Sequence, residues 1–340
     1  MDCGRPSFVP LERLGQITKE PFLKIGNWQS AIRRMLRFII RRLIITIPTI
    51  LVVITITWGL IRLAPGNFYT GDKALPEAIE QNIREKYGLD RPWHEQYLKT
   101  MGQILRLDFG TSLKYEGQSV NKIIARSLPV SATVGILAYL LALIVGITIG
   151  SIAALKQNSK WDYASMTLAM LGISIPNFVL GPILVLFFSL TLYWLPPSRW
   201  DGFPSKSVIL PVITLSAIYM AYIARLTRAG MLEVLRSDYI RTARSKGLSE
   251  TQVVVRHALR GGLLPVVSYT GPALAFLLTG TVVVERLFVL PGLGNYFIQA
   301  SLNRDEPLIL GIVAFISMTL LSMNLLVDIA YGFLDPRIRH

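Results

Sequence analysis

The chain alternates between long stretches that contain no Asp, Glu, Lys or Arg and shorter segments that carry nearly all of its charge. Six uncharged stretches are long enough to matter: Leu43 to Ile61, Ser127 to Leu155, Tyr163 to Ser198, Ser207 to Ala224, Gly261 to Val284 and Pro307 to Val327. Crossing about 30 Å of hydrocarbon takes about 20 apolar residues in a helix, so each stretch predicts a transmembrane span. The third is longer than one span needs and contains Pro176, Pro182 and the pair Pro196-Pro197. It reads as one span ending near Leu190 followed by a turn, or as a kinked helix whose freed carbonyls are satisfied by neighbours. Arg33, Arg34, Arg37, Arg41 and Arg42 precede the first span. Its apolar core is too long for a cleaved signal peptide, and no small-x-small cleavage site follows before Arg62, so it reads as a retained helix.

Charge then sets the orientation. Lys and Arg in short loops mark the cytoplasmic side, and the arginine cluster places the N-terminal side of the first span there. Lys156 and Lys160, the segment from Arg225 to Arg260, and the tail with Arg337 and Arg339 then fall on the same side, as the rule requires. These observations predict an all-α integral membrane protein of about six transmembrane helices with cytoplasmic N- and C-termini. Its expected organisation is a polar cytoplasmic extension over 1–34, a first span over 35–62, an external region over 63–126, a five-helix core over 127–335 and a tail over 336–340.

Composition agrees. Of 340 residues, 52% are hydrophobic and only 16% charged, too few charges to coat a soluble globule of this size. The net charge of +14 does not signal nucleic acid, because the basic residues flank apolar runs instead of forming one face. Lipid is the expected partner of the apolar surface. The single cysteine, Cys3, excludes an internal disulfide, and His94, His257 and His340 lack metal-ligand spacing.

In the external region, Pro76 opens an expected helix with Ile79, Ile83 and Tyr87 on one stripe. A second stripe of Trp93, Tyr97, Met101 and Leu105 follows, and Asp108-Phe109-Gly110-Thr111-Ser112 reads as a turn. Two readings stand for this amphipathic region: a cover over the mouth of the protein or the lipid surface, or a docking platform for an outside partner through Trp93, Tyr97, Met101 and Phe109.

The segment 236–262 carries Arg236, Arg241, Arg244, Lys246, Arg256 and Arg260 against only Asp238 and Glu250. A turn at Gly247-Leu248-Ser249, with Ser249 capping a second helix begun by Glu250, predicts a helix-turn-helix on the cytoplasmic face. Its charge serves either to fix topology and bind anionic headgroups or to form a rigid coupling element for a soluble subunit.

The run Asp238-Tyr239-Ile240-Arg241-Thr242-Ala243-Arg244-Ser245-Lys246-Gly247-Leu248, followed by Arg256-His257-Ala258-Leu259-Arg260, resembles the coupling loop of ABC importer permeases in the oligopeptide and dipeptide branch. The general family pattern is Glu-Ala-Ala, three residues, Gly, then Ile-x-Leu-Pro about ten residues later. Of the matching positions here, only Ala243, Gly247 and Leu259 fit it. Collinear fragments resemble the B-type permease of that branch. They include Met35 to Arg42, Arg62-Leu63-Ala64-Pro65-Gly66, Asp108-Phe109-Gly110, Ala153 to Gln157, Leu290-Pro291-Gly292-Leu293-Gly294, Leu302-Asn303-Arg304-Asp305 and Leu334 to Arg339. The resemblance implies a type I ABC importer permease fold in a bacterial cytoplasmic membrane. It also implies a heterodimer with a second permease, two cytoplasmic ATPase subunits and an extracytoplasmic peptide-binding protein. The coupling residues it implies are Arg241, Thr242, Ala243, Arg244, Lys246, Gly247, Leu248, His257 and Leu259.

No phosphate-binding Gly-x-x-x-x-Gly-Lys-[Ser/Thr] loop, nucleophile elbow or metalloprotease motif occurs, so the chain is expected to be no enzyme and to hold no cofactor, ATP being used by its partners. Ion-driven transport would require a buried acid. The spans offer only Glu285, at the outer end of span five, and Asp328, near the inner end of span six, where pairing with Arg337 or headgroups is the other reading, and neither lies near mid-membrane. Dipeptides, nickel or haem are alternative cargoes for the same architecture, and a non-transporting membrane scaffold is the alternative of a different class.

Overall fold

The computed structural model describes residues 28–64 and 90–334 except Glu116, together with residues 81, 82, 85 and 88. Most of the cytoplasmic extension and of the helix expected from Pro76, with its stripe of Ile79, Ile83 and Tyr87, the tail and the Asp328 side chain lie outside the described residues. Helix α1 spans Trp28–Leu63, beginning seven residues before the expected boundary at Met35. The short α2, Trp93–Leu105, precedes α3, Val120–Leu155, which likewise starts ahead of its uncharged run.

The third uncharged run adopts the kinked alternative. Helices α4, Lys160–Ser174, and α5, Asn177–Leu184, the latter continued by a π-helical stretch Val185–Thr191, meet at 103°. The cause is Pro176: its ring disfavours helical backbone at the preceding residue, and Ile175 is extended at φ −92°, ψ 111°. Five other helical segments are long and apolar enough to cross a membrane, with the bent pair as a sixth.

After a 3₁₀ turn, α6 runs over Ile209–Leu235 and α7 over Asp238–Ser245. The second half of the cytoplasmic segment comprises α8, Glu250–Gln252, a π-helical stretch Val253–Ala258, and α9, Leu259–Gly262. The fifth uncharged run is broken in two: α10, Leu264–Leu278, ends before Gly280 at φ +88°, and α11, Val282–Leu287, restarts the helix. Helix α12, Leu293–Asn303, lies on the outer side, and α13, Glu306–Leu334, is the last span.

Helices α3 and α6 run parallel at the centre, joined by α10 through a core that includes Val134, Ala138, Leu215, Ile223, Ala273 and Leu277. Lipid tails are as apolar as leucine, so such contacts are driven by close packing. Small residues on α3 make it possible. A Cβ on Gly146 would meet the Met220 carbonyl oxygen at 2.8 Å, and one on Gly150 would collide with the Ala224 carbonyl. Both are packing glycines, as is Gly271, whose Cβ would meet Val327 at 3.0 Å. Gly280 packs closely as well, since a Cβ there would collide with the Glu285 carboxylate, and it also forms the break between α10 and α11.

Helix α1 sits at the edge. Ile54 and Trp58 are buried against Leu310 and Ala314 of α13 and against Met101 and Ile104 of α2, while Ile44, Ile47, Val52, Ile56 and Leu60 are exposed, a surface suited to lipid. Leucine at Gly150 is expected to destabilise the bundle by about 2 kcal/mol through overpacking. The check is the thermal unfolding midpoint in detergent, with Gly59→Leu as the comparison that leaves it unchanged, because a Cβ there has nothing within 4 Å.

Candidate functional site

The cytoplasmic segment between α6 and α10 folds into a small helical platform. Ile240 and Ala243 of α7 turn inward with Val253 and Ala258 and join Met231 of α6 and Ala154 at the end of α3 in one buried cluster. The opposite face of α7 is exposed: Arg241, Thr242, Arg244 and Lys246 all project into solvent. The turn depends on Gly247, whose φ of +80° lies in the left-handed region that side chains disfavour. Ser249 then caps α8 in a reciprocal box: its hydroxyl accepts from the Gln252 N–H at 3.4 Å, while the Gln252 side chain accepts from the Ser249 N–H at 3.2 Å.

Arg244 closes the turn with two bonds to Glu250, Nε to Oε1 at 2.8 Å and Nη2 to Oε2 at 3.2 Å. Both side chains are largely exposed, so the pair orients the hairpin and adds little stability. The platform is seated closely on α6 through its glycines: a Cβ on Gly230 would collide with the Gly262 carbonyl, and one on Gly261 would meet a Val234 methyl carbon at 3.1 Å.

A second cytoplasmic device ties α4 to α6. Arg228 donates to the almost fully buried Asp162 through Nε at 2.7 Å and Nη2 at 2.8 Å, and Asp162 also accepts from the Asn158 N–H at 2.9 Å. Neither residue stood out in the sequence, although each flanks an uncharged run.

Two buried carboxylates organise the outer side. Asp305 accepts from the Ser112 hydroxyl, the Leu113 N–H at 3.1 Å, the Lys114 N–H at 3.2 Å and the Leu308 N–H at 3.3 Å. It thereby pins the turn after Asp108-Phe109-Gly110 to the start of α13. Glu285 accepts from the Ser131 hydroxyl at 2.7 Å and the Asn295 N–H at 3.0 Å, and Gly292 and Gly294 crowd its carboxylate so closely that a Cβ on either would touch it. The Leu290-Pro291-Gly292-Leu293-Gly294 motif is thus a cradle for Glu285. The carboxylate bridges α3, α11 and α12 and has structural partners.

The four outer residues differ in exposure. Trp93 is exposed, but Tyr97 packs edge-on against Trp58 at 5.4 Å and shares a 2.7 Å hydroxyl bond with Thr55. Met101 is buried in the same contact, and Phe109 packs against Gly311. Three of the four residues therefore hold the outer segment onto α1 and α13, because an amphipathic helix beside an apolar wall buries its stripe there.

Known proteins place this architecture. Residues 146–340 match the binding-protein-dependent transport system inner membrane component family, and residues 35–135 match the N-terminal part of such membrane components. The chain belongs to this inner membrane component family. Among its relatives, the oligopeptide transport system permease protein OppB of Escherichia coli (strain K12) is 47% identical over 306 residues, 90% of this chain and 100% of that protein. The dipeptide transport system permease protein DppB of Bacillus subtilis (strain 168) is 43% identical over 305 residues, 90% of this chain and 98% of that protein. An inward-facing structure of the MetNI methionine ABC transporter superposes with a TM-score of 0.53 at 14% identity, covering 63% of this chain and 96% of that one, which supports the fold alone. This inner membrane component is therefore a multi-pass helical protein with the type I importer permease fold.

Within the family member's cytoplasmic face, the nine residues singled out in the sequence divide by position. Arg241, Thr242, Arg244, Lys246, Gly247 and Leu248 are exposed, Ala243 is buried beneath them, and His257 and Leu259 are half-buried in the second half of the hairpin. Removing Arg228 by Arg228→Ala would leave the Asp162 charge buried and unpaired, with an expected loss of about 3 kcal/mol. The double variant Asp162→Asn, Arg228→Gln should recover part of that loss in the same thermal unfolding measurement.

Proposed function

We propose that the chain is one permease of an ATP-driven importer that moves oligopeptides into the bacterial cytoplasm by alternating access. The observation that carries this reading is the platform built on α7: an exposed basic face, a glycine-dependent turn and an apolar anchor reaching the ends of α3 and α6. A soluble subunit that grips α7 can move those helices as a rigid lever, because Ile240, Ala243 and Met231 couple the platform to the central bundle.

In this reading the partners are a second, homologous permease completing the pathway, two cytoplasmic ATPase subunits and an extracytoplasmic peptide-binding protein. The exposed residues Arg241, Thr242, Arg244, Lys246 and Leu248 meet an ATPase groove. Gly247 gives the loop its shape, Ala243 anchors it, and His257 and Leu259 support it from the second half. ATP binding draws the ATPases and the attached platforms together and opens the permease pair outward; hydrolysis reverses the motion. The chain brings no ATPase chemistry of its own to this cycle. OppB supports oligopeptides as cargo, and the 43% identity to DppB keeps dipeptides as a second reading.

Purification from native membranes in mild detergent, followed by mass spectrometry, is expected to recover a second permease and one or two ATPases; a chain that purifies alone even after cross-linking would refute the assembly. Valine at Gly247 would have to enter a conformation costing a non-glycine residue roughly 1–2 kcal/mol. In the reconstituted complex, Gly247→Val is expected to lower peptide uptake by about tenfold, the effect of ~1.4 kcal/mol of lost docking, while ATP hydrolysis continues. Normal coupled uptake would remove the loop from this role.

A further inference from the structure

The exposed membrane surface is of two kinds. On α1, α4, α5 and the π-helical stretch after α5 it includes residues such as Ile47, Ile56, Leu168, Ile183 and Leu186, which hydrocarbon accepts. The face shared by α6 and α10 differs. Tyr222 and Tyr269 bring the two helices together with ring centroids 5.8 Å apart, Tyr219 lies 6.4 Å from Tyr269, and Ser268, the residue before Tyr269 on α10, is exposed. Arg225 is exposed on the same side of α6, its guanidinium carbon 5.1 Å from the centre of the Tyr222 ring.

Among the described residues Arg225 meets no carboxylate, whereas Arg228, less than one turn further along, is neutralised by Asp162. It lies ten residues from the end of α6 and three before Arg228, and the neighbouring Ala224 packs on Gly150 near the cytoplasmic end of α3, so it sits where the apolar part of the bundle meets the cytoplasmic side. A charge and a group of hydroxyls in that position belong against water or protein, since hydrocarbon offers them no partner.

We propose that this face is the chain's wall of the transport pathway and that Arg225 binds the terminal carboxylate of a peptide in transit. The planar guanidinium can take a carboxylate with two parallel N–H···O bonds while one face stays on the Tyr222 ring. The tyrosines offer apolar surface and hydroxyls to side chains and amides of any sequence, which suits varied peptides. This inference rests on the peptide-permease reading above and adds to it a site and the group it recognises.

Two measurements on the complete complex in vesicles test it. The first places a cysteine at Ser268 in a Cys3→Ser background and exposes the vesicles to a water-soluble thiol reagent. Ser268→Cys is expected to react and to be protected by peptide, while Ile56→Cys on the lipid face stays unreactive; an unreactive Ser268→Cys would overturn the wall. The second compares uptake of two peptides that the binding protein captures equally, one ending in a free carboxylate and one in an amide. Arg225→Gln is expected to slow the first by about tenfold, the order of one charge-assisted contact, and to leave the second unchanged, with Arg225→Lys in between. Equal loss for both peptides, as a packing contact with the second permease would give, or no loss for either, overturns the carboxylate site while the peptide reading survives. If the unaltered complex imports neither peptide, the peptide reading fails and the carboxylate site with it, and the thiol result alone decides the wall.

Discussion

Close approach of α3 to α6 is the contact on which the rest of the bundle is arranged. In lipid there is no gain from hiding leucine, so two helices stay together only if their backbones come near enough for dispersion contacts along their length. Gly146 and Gly150 provide that approach, and their partners are carbonyl oxygens of α6 that have no room to move aside. With the pair fixed, α10 closes one side through Gly135 and Leu277, α4 adds to α6, and α13 reaches α10 across Gly271. The peripheral α1 is held by one face only, a consequence of its otherwise unbroken aliphatic surface.

Polar groups within this frame serve as fasteners between elements distant in sequence. Asp162 and Arg228 join α4 to α6, Glu285 gathers α3, α11 and α12, and Asp305 fixes the outer turn to α13. In a low-dielectric surrounding an unsatisfied carboxylate is costly, so each is enclosed by donors, and glycines make room around Glu285. These acids therefore have structural partners, whereas Arg225 rests on the Tyr222 ring with no carboxylate beside it among the described residues.

The cytoplasmic platform joins the two themes. Its apolar side continues the α3–α6 contact beyond the membrane, and its basic side faces outward. A rigid body anchored to the central helix pair can convert movement of an attached subunit into movement of the bundle, whereas a flexible charged loop, sufficient for topology alone, could not.

The sequence by itself determined the membrane character, the number of apolar runs, their orientation and the helix-turn-helix between α6 and α10. These follow from local properties: hydrocarbon thickness sets span length, basic residues set sidedness, and Ser249 and Gly247 mark a cap and a turn whatever surrounds them. Part of the site was legible for the same reason, since α7 alternates buried Ile240 and Ala243 with exposed basic residues on one short helix. Only the tertiary structure decided between a straight and a bent third span, broke the fifth run at Gly280, and turned Tyr97 and Met101 inward. It also paired Asp162 with Arg228, and Asp305 with the backbone near Ser112. Those outcomes depend on which side chains meet across long separations in the chain. Periodicity can mark a residue as amphipathic or charged, but the identity of its neighbour is a property of the packed helices.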